Sequence, residues 1–194
     1  GTPWREIQQN QLDQYYSTSN LPLRGAKGWL YEGGIRFPLL IKYPISKKLG
    51  FERDLLTSGV DMFPTILNML DEPKYLNNSL DGINILPAIM GDEVTRGPIY
   101  WHFPHYSNHG MQSPGGAIRD GDYKLLEYFE NGTLQLFNLK NDLGEQTDLS
   151  KIDIKKTMEL KEKLNKWRDK IGAKKMIKNP EFNPQSDRKI NPYR

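Results

Sequence analysis

Four glycines within ten residues constrain this chain more than any other feature of its sequence. They stand at positions 25, 28, 33 and 34. Glycine adopts positive φ angles and lets two backbones approach closely, so this spacing predicts tight turns that pack against one another. Lys27 lies among them, and a compact ammonium held by small residues suits a fixed oxyanion of a substrate. The alternative for Lys27 is an ordinary surface lysine.

The residues after the glycines predict a strand and then a helix. Residues 37–43 form a nearly continuous apolar run, which is typical of a strand buried on both faces. Further on, Phe63, Ile66 and Leu70 share one face of a helix over residues 61–70, with Asp61 at its N-cap. Strand followed by helix is the pattern of an α/β sheet. We therefore predict that residues 1–97 form the end of an α/β domain.

The pattern changes after Gly97. Short runs at residues 99–103, 116–119, 122–129 and 134–139 are separated by turn dipeptides such as Asp120-Gly121 and Asn131-Gly132. Such spacing predicts a small antiparallel sheet. Apolar residues at helical spacing from Leu160 to Ile171 follow, with Ser150 as the expected cap and Gly172 as the expected stop. Residues 98–194 are thus predicted to be an α+β subdomain with one long packed helix and an extended tail from residue 173.

Composition narrows the possible functions. The 194 residues contain no cysteine, so disulfides and zinc–thiolate sites are excluded within them. No apolar run approaches the roughly 20 residues that span a bilayer. The formal charge of +3 conceals an asymmetry, because residues 151–194 hold 14 Lys and Arg against 6 Asp and Glu. That basic segment could attract a polyanion, but its lysines are largely interspersed with glutamates on one helix, which favours a solvated helix face. We predict no nucleic-acid partner.

Several strings in this sequence resemble one family. Residues 23–38, LRGAKGWLYEGGIRFP, resemble the LRGGKG…YEGGxRxP segment of type I sulfatases in the alkaline-phosphatase superfamily. Residues 60–67 are similar to the VDxxPTxL helix of that family, and residues 136–145 to its LYDLxxDPxE ending. The resemblance implies that Lys27 contacts the sulfate ester in catalysis, while Glu32 and Arg36 form an ion pair that shapes the turn. Ala26, Asn138 and Leu143 depart from the family pattern.

All three histidines lie in residues 101–109, WHFPHYSNH. Imidazoles beside aromatic rings are common in sugar pockets. Pro104 prevents the i,i+4 presentation of helical zinc sites, and the cluster has no carboxylate, which disfavours metal binding. A similar WHxPHY string in bacterial sulfatases lies near the substrate cleft, so His102, His105 and His109 are candidate substrate contacts. Plain structural histidines are the alternative.

Two parts of the sulfatase machinery are missing from this sequence. It has neither the C/SxPxR motif that becomes formylglycine nor the SDNG-like strand end that helps to hold calcium. The resemblance therefore implies a periplasmic or secreted bacterial sulfatase of sulfated carbohydrates whose nucleophile and calcium ligands lie outside this chain. Alone, the chain is expected to be inactive. The apolar strand at 37–43 then needs the N-terminal remainder of the sulfatase, or another chain, to cover it. A non-catalytic sulfated-glycan-binding module and a phosphodiesterase or phosphonate hydrolase relative are the alternatives.

Overall fold

The computed structural model describes residues 19–46, 50–76, 80–106, 112–177 and 179–181. Contacts divide the chain into two compact units. One contains the residues up to Phe37 together with those from Tyr100 onward, and the other runs from Pro38 to Ile99. The predicted division into domains at residues 97 and 98 stays a prediction. The structure adds that the glycine-rich segment belongs to the same unit as the sheet.

The first unit is built on a four-stranded sheet in the order β1-β2-β3-β4. Its strands are Ile99–Phe103 (β1), Gly115–Asp120 (β2), Tyr123–Tyr128 (β3) and Thr133–Asn138 (β4). β2 pairs antiparallel with β3, and β3 pairs antiparallel with β4. Gly121 and Gly132 both have positive φ where the predicted turns lie. The predicted small antiparallel sheet is therefore confirmed.

Side chains of the sheet alternate between two buried faces, as the two-residue period of a strand requires. On one face, Ala117, Leu126 and Phe137 pack with Trp29 and Tyr31 of the glycine-rich segment. On the other face, the neighbouring residues of the same strands pack against a long helix; this second cluster consists of Ile118, Leu125, Leu136, Leu160 and Leu164. The sheet thus holds the segment around Lys27 on one face and the helix on the opposite face.

The long helix, Ile154–Lys170 (α4), packs against the sheet as predicted. Its N-cap is Asp153, whose side chain accepts a hydrogen bond from the Lys156 backbone N–H at 2.9 Å. The predicted Ser150 cap is wrong, because the chain makes a further turn after Ser150 before the helix begins. The predicted stop is confirmed, since Gly172 has a φ of +60° just beyond the last turn.

The second unit contains helices Met62–Met69 (α2) and Leu86–Met90 (α3). Helix α1, Glu32–Ile35, belongs to the first unit. Two 3-10 helices, Gly59–Asp61 and Pro73–Tyr75, complete the helical elements of the described chain. The prediction of a strand at 37–43 is wrong for this chain, since those residues take no strand conformation. A strand of this kind needs hydrogen-bonded neighbours, which the described residues do not supply.

The helix predicted over residues 61–70 is confirmed, but its apolar face is not buried within the unit. Pro64 and Thr65 are its buried residues, whereas Phe63, Ile66 and Leu70 are exposed. Asp61 stands at the N-cap, and its carboxylate accepts hydrogen bonds from the backbone N–H groups of Ser58 and Ile83 rather than from α2. Over the described residues, no helix is both long and apolar enough to cross a membrane.

Candidate functional site

Lys27 stands at the tip of a tight β-turn. The Trp29 backbone N–H donates to the Ala26 carbonyl at 3.1 Å, so Lys27 and Gly28 occupy the two central positions. Gly28 has a φ of +97°. The third position of a type II turn requires a positive φ, which residues other than glycine disfavour. The sequence around Lys27 therefore encodes one defined backbone path for this lysine.

Close backbone contacts fix the turn onto helix α1. The Gly33 N–H donates to the Arg24 carbonyl at 2.7 Å. A Cβ atom on Gly33 would lie 2.2 Å from the Gly25 carbonyl oxygen, and one on Gly34 would lie 2.2 Å from that of Trp29. Such contacts are too short for any side chain. The glycines of α1 thus let the two backbones touch, as the sequence predicted.

Arg24 adds a second attachment at the base of the turn. Its guanidinium donates to the Glu145 backbone carbonyl at 2.8 Å. The same group lies 4.1 Å from the centroid of the Tyr31 ring, within the range of a cation–π contact. The turn is therefore tied both to its own following residues and to the loop after β4.

Beneath the turn lies a buried charged cluster. The Lys124 ammonium is 3.1 Å from Oε1 of Glu32 and 2.9 Å from Oε1 of Glu145. All three side chains are at most 1% exposed. The Glu32 backbone N–H donates to Oε2 of Glu145 at 2.6 Å, and the Arg119 guanidinium reaches Oε2 of Glu32 at 3.1 Å. Two carboxylates therefore face two cations, which compensates the charges.

The predicted ion pair between Glu32 and Arg36 is present, at 3.9 Å. It is longer than the contacts of Glu32 with Lys124 and Arg119, and the Arg36 side chain is largely exposed. Burial raises the pKa of the Glu145 carboxyl, and the Lys124 ammonium acts against that rise. The shape of the turn thus depends mainly on the buried partners rather than on Arg36.

A tyrosine pair completes the floor of this region. The Tyr128 hydroxyl donates to the Tyr31 hydroxyl at 3.0 Å, and the Tyr31 hydroxyl donates to the Gln135 side-chain carbonyl at 2.8 Å. Burial raises the pKa of both phenols, most strongly that of Tyr128. Both groups therefore stay neutral near pH 7 and act as hydrogen-bonding groups of the core.

Lys27 itself is exposed, and its ammonium makes no ion pair with any part of the chain that the structure describes. This distinguishes it from Lys124, which is fully buried between two carboxylates. The turn thus presents an uncompensated cation on a rigid backbone. This arrangement is suited to binding an anionic group of a ligand, because no carboxylate of the described residues competes for the charge.

The candidate histidines differ in their surroundings. The His102 ring lies 5.4 Å from the Phe129 ring, and its Nε2 atom is 2.8 Å from the Lys174 carbonyl oxygen. His105 is exposed at the end of β1, with its ring centroid 3.9 Å from that of Phe103. His109 lies outside the described residues. The three residues stay candidate substrate contacts. Both described imidazoles contact a backbone carbonyl, since Nδ1 of His105 lies 3.2 Å from the Tyr106 carbonyl oxygen.

One buried side chain, Gln112, links the residues just after the Lys27 turn to the connection between β1 and β2. This side chain is buried, and it accepts a hydrogen bond from the Leu30 backbone N–H at 3.0 Å. Gln112 lies in the connection between β1 and β2, which also carries His105. No contact within the described ranges joins Lys27 to either imidazole. The two candidate groups thus belong to the same unit, but no recorded contact of the described residues joins them.

Sequence reasoning missed Lys124, Glu145 and Arg119, which support the turn. One signal for Lys124 was present. Strand alternation places residue 124 on the same face as Leu126 and Tyr128, so a lysine there is a charge at a core-facing position. A buried lysine needs a carboxylate partner, but the sequence does not show which of the distant glutamates supplies it.

The described residues hold no group of three or more His, Asp or Glu side chains that could bind a metal ion. Those side chains do not fit a resident calcium site, so no step of chemistry is assigned to calcium here. The calcium prediction, which places the ligands outside this chain, stays a prediction.

Comparison with known proteins places these features in a family. The model of the family described as N-sulphoglucosamine sulphohydrolase, C-terminal, matches residues 26–170. A sulfatase from Formosa agariphila is 31% identical, over 86% of this chain and 34% of its own length. An N-acetylglucosamine-6-O-sulfatase from Bacteroides thetaiotaomicron is 26% identical, over 64% of this chain and 24% of its own length.

The solved structures agree. The crystal structure of Ps i-CgsB in complex with k-i-k-neocarrahexaose has a TM-score of 0.65 and 28% identity, covering 81% of this chain and 37% of that one. This chain spans about a third of the length of the sulfatase from Formosa agariphila that it matches. The resemblance to sulfatases stated from the sequence is thereby confirmed. The chain belongs to the N-sulphoglucosamine sulphohydrolase C-terminal family, within the sulfatases of the alkaline-phosphatase superfamily.

Proposed function

We propose that this chain forms the C-terminal portion of a sulfuric ester hydrolase that acts on sulfated carbohydrates. The observation that carries the proposal is the exposed Lys27 ammonium at the tip of a turn fixed by backbone contacts, which forms no ion pair with any described residue. A cation carried on a fixed backbone can approach a sulfate oxygen of a ligand and stabilise its negative charge. Membership of the sulfatase family supports this assignment.

The remaining machinery is assigned to residues outside this chain. We propose that these residues supply a formylglycine nucleophile and the calcium ligands, because this sequence has no motif for either. The chain alone is then inactive, and Lys27 acts only in the complete enzyme. On the resemblance alone, we also propose a periplasmic or secreted location. His105 is the better placed of the two described histidines to contact the sugar, because its side chain is exposed whereas that of His102 is partly buried.

Exposed apolar surface supports a covering partner. Leu40 is 87% exposed in the segment after the glycine turns, and the apolar face of α2 is also open. Exposed apolar surface of this kind marks a contact with another part of a protein or another chain. We propose that the N-terminal remainder of the sulfatase covers it.

The test is steady-state hydrolysis of a sulfate ester by the complete protein that carries this chain. Lys27→Ala is expected to lower kcat/KM by about 100-fold, the order of effect seen when one oxyanion-stabilising donor is removed. Lys140→Ala is the matched control, because Lys140 is also exposed and makes no ion pair within the described residues. An equal rate in Lys27→Ala and the wild type would contradict the proposal.

The same assay separates the alternatives. A complete protein that binds a sulfated oligosaccharide but hydrolyses no sulfate ester would be a glycan-binding module. Preferential hydrolysis of a phosphodiester or a phosphonate monoester would show that the enzyme attacks phosphorus rather than sulfur. Either result would replace the sulfatase proposal.

A further inference from the structure

The segment after helix α4 is held against the sheet. The chain leaves α4 at Gly172 and continues as residues 173–177, here named the C-terminal arm. The Lys174 carbonyl oxygen lies 2.8 Å from Nε2 of His102 on β1. A carbonyl only accepts hydrogen bonds, so Nε2 of His102 carries the proton and donates it. His102 therefore fixes the backbone of the arm to strand β1, which ends two residues before His105.

The arm differs in charge from the middle of α4. Four lysines of α4 form ion pairs with carboxylates; these pairs are Lys156–Glu159, Lys161–Glu127, Lys163–Asp120 and Lys166–Glu162. By contrast, Lys170, Lys174 and Lys175 are exposed and form no ion pair among the residues that the structure covers. Asp169 is the nearest acidic residue in sequence, and it forms no ion pair with them. The positive charge of the arm is therefore free to bind an external anion.

Geometry places this charge close to the candidate sugar contact. His105 follows His102 by three residues, so their Cα atoms are at most roughly 11 Å apart. The Lys174 backbone carbonyl is hydrogen-bonded to the His102 ring nitrogen. A flexible lysine side chain adds further reach from that point. A ligand at His105 that extends along the sheet edge would thus come within the range of the arm.

We propose that the C-terminal arm forms a second anion subsite, in which Lys174 and Lys175 bind a sulfate group other than the one that is hydrolysed. The enzyme then prefers an oligosaccharide with several sulfates over a substrate with one. This inference rests on the proposed function for the class of its ligand. A sulfated glycan is favoured over a nucleic acid because the sulfatase family supplies the substrate class and the net charge of the whole chain is only +3.

Binding to dextran sulfate by the complete protein tests the subsite without any catalysis. The combined variant Lys174→Gln and Lys175→Gln is expected to raise the dissociation constant only roughly three- to tenfold, because each exposed ionic contact is weak. The dissociation constant of this variant should also depend less steeply on salt concentration. The matched control is Lys151→Gln combined with Lys155→Gln, which removes the same charge from two exposed lysines at the other end of α4.

Each outcome decides the proposal. Selective weakening in the arm variant supports it, whereas equal weakening in both variants shows general charge attraction and overturns it. No weakening also overturns it, as does an equal loss of affinity for single-stranded DNA. Hydrolysis of 4-nitrophenyl sulfate should be unchanged in the arm variant, because that substrate has one sulfate. If the wild type hydrolyses no sulfate ester, the proposed function fails, while the binding measurement still decides whether the arm holds a polysulfated ligand.

Discussion

Lys124 is the residue on which the candidate site most depends, although it does not face solvent. Its ammonium lies between the carboxylates of Glu32 and Glu145, and all three groups are removed from water. Burying charges costs several kcal/mol for each ion, and the attraction between them offsets that cost only while every partner is present. Glu32 also begins helix α1, onto which the Lys27 turn packs. The ion cluster therefore fixes helix α1, and with it the Lys27 turn, to strand β3.

Replacing Lys124 with Met should destabilise the complete protein by about 3–5 kcal/mol, because the Glu145 carboxylate would be buried without its cation. Urea unfolding measures this change. Adding Glu145→Gln to Lys124→Met should restore part of the loss, since the uncompensated charge is then removed. Lys140→Met, at an exposed lysine, should have almost no effect. A double variant that is no more stable than Lys124→Met alone would show that charge compensation is not the reason for the loss.

At the scale of elements, the glycine turns and helix α1 form one rigid piece. The Gly33 Cα faces the carbonyl oxygens of Arg24 and Gly25 with no space for a methyl group. Because the obstructing atoms are backbone, they cannot move aside as a flexible side chain would. Any side chain at position 33 must therefore displace the turn that carries Lys27.

Gly33→Ala should lower kcat of the complete enzyme toward a sulfate ester by at least tenfold and destabilise it by about 1–3 kcal/mol. Gly97→Ala is the matched control, because an added Cβ there meets no atom within 4 Å and its φ is not in the left-handed region. The activity ratio should be measured at a temperature where both variants are fully folded. Unchanged kcat in folded Gly33→Ala would mean that the turn does not position Lys27.

The elements that the sequence predicted correctly are those whose partners are close in the chain. The hairpins of β2, β3 and β4 carry their own alternation and turn glycines, and α4 has its apolar spacing and Gly172. The strand predicted at 37–43 is wrong, because an apolar run indicates burial but does not show which part of the protein covers it. Helix α3 had no strong periodic signal and was not predicted.

The candidate site follows the same rule. The glycine pattern around Lys27 predicted tight, closely packed turns, since the requirement for glycine is local. The contact of Glu32 with Glu145 and Lys124 joins residues about ninety or more positions apart, as their numbers show, and no local pattern encodes it. The bond from His102 to the C-terminal arm also joins residues far apart in sequence, at a separation of 72 positions. Long-range pairing of charged groups is thus the part that required the structure.

At the scale of the whole molecule, the residues from Pro38 to Ile99 leave several large apolar side chains exposed, although Ile85, Ala88 and Ile99 are buried. Leu40 is 87% exposed and Phe63 is 54% exposed. Each fully buried side chain of this size contributes about 1.5–3 kcal/mol relative to its exposed state. The sequence thus encodes apolar surface whose stabilising effect is realised only when another part of the protein covers it. The proposed covering partner is the N-terminal remainder of the sulfatase.

The decisive comparison is between this chain alone and the complete protein. The chain alone should bind the dye ANS and self-associate, because its apolar residues remain open to water. Leu40→Ser combined with Phe63→Ser should reduce both effects in the chain alone, yet lower the free energy of unfolding of the complete protein by about 1.5–3 kcal/mol for each side chain. The opposite signs arise because the same residues face water in one case and a packed interface in the other.

Ile152→Ser provides the control, since Ile152 is also exposed, at 74%, but lies in the turn before α4, in the unit that contains the sheet. It should leave the stability of the complete protein almost unchanged. A chain that stays monomeric without binding ANS would refute the need for a covering partner. So would a complete protein that tolerates both serines, because the apolar groups would then be exposed in the assembled molecule as well.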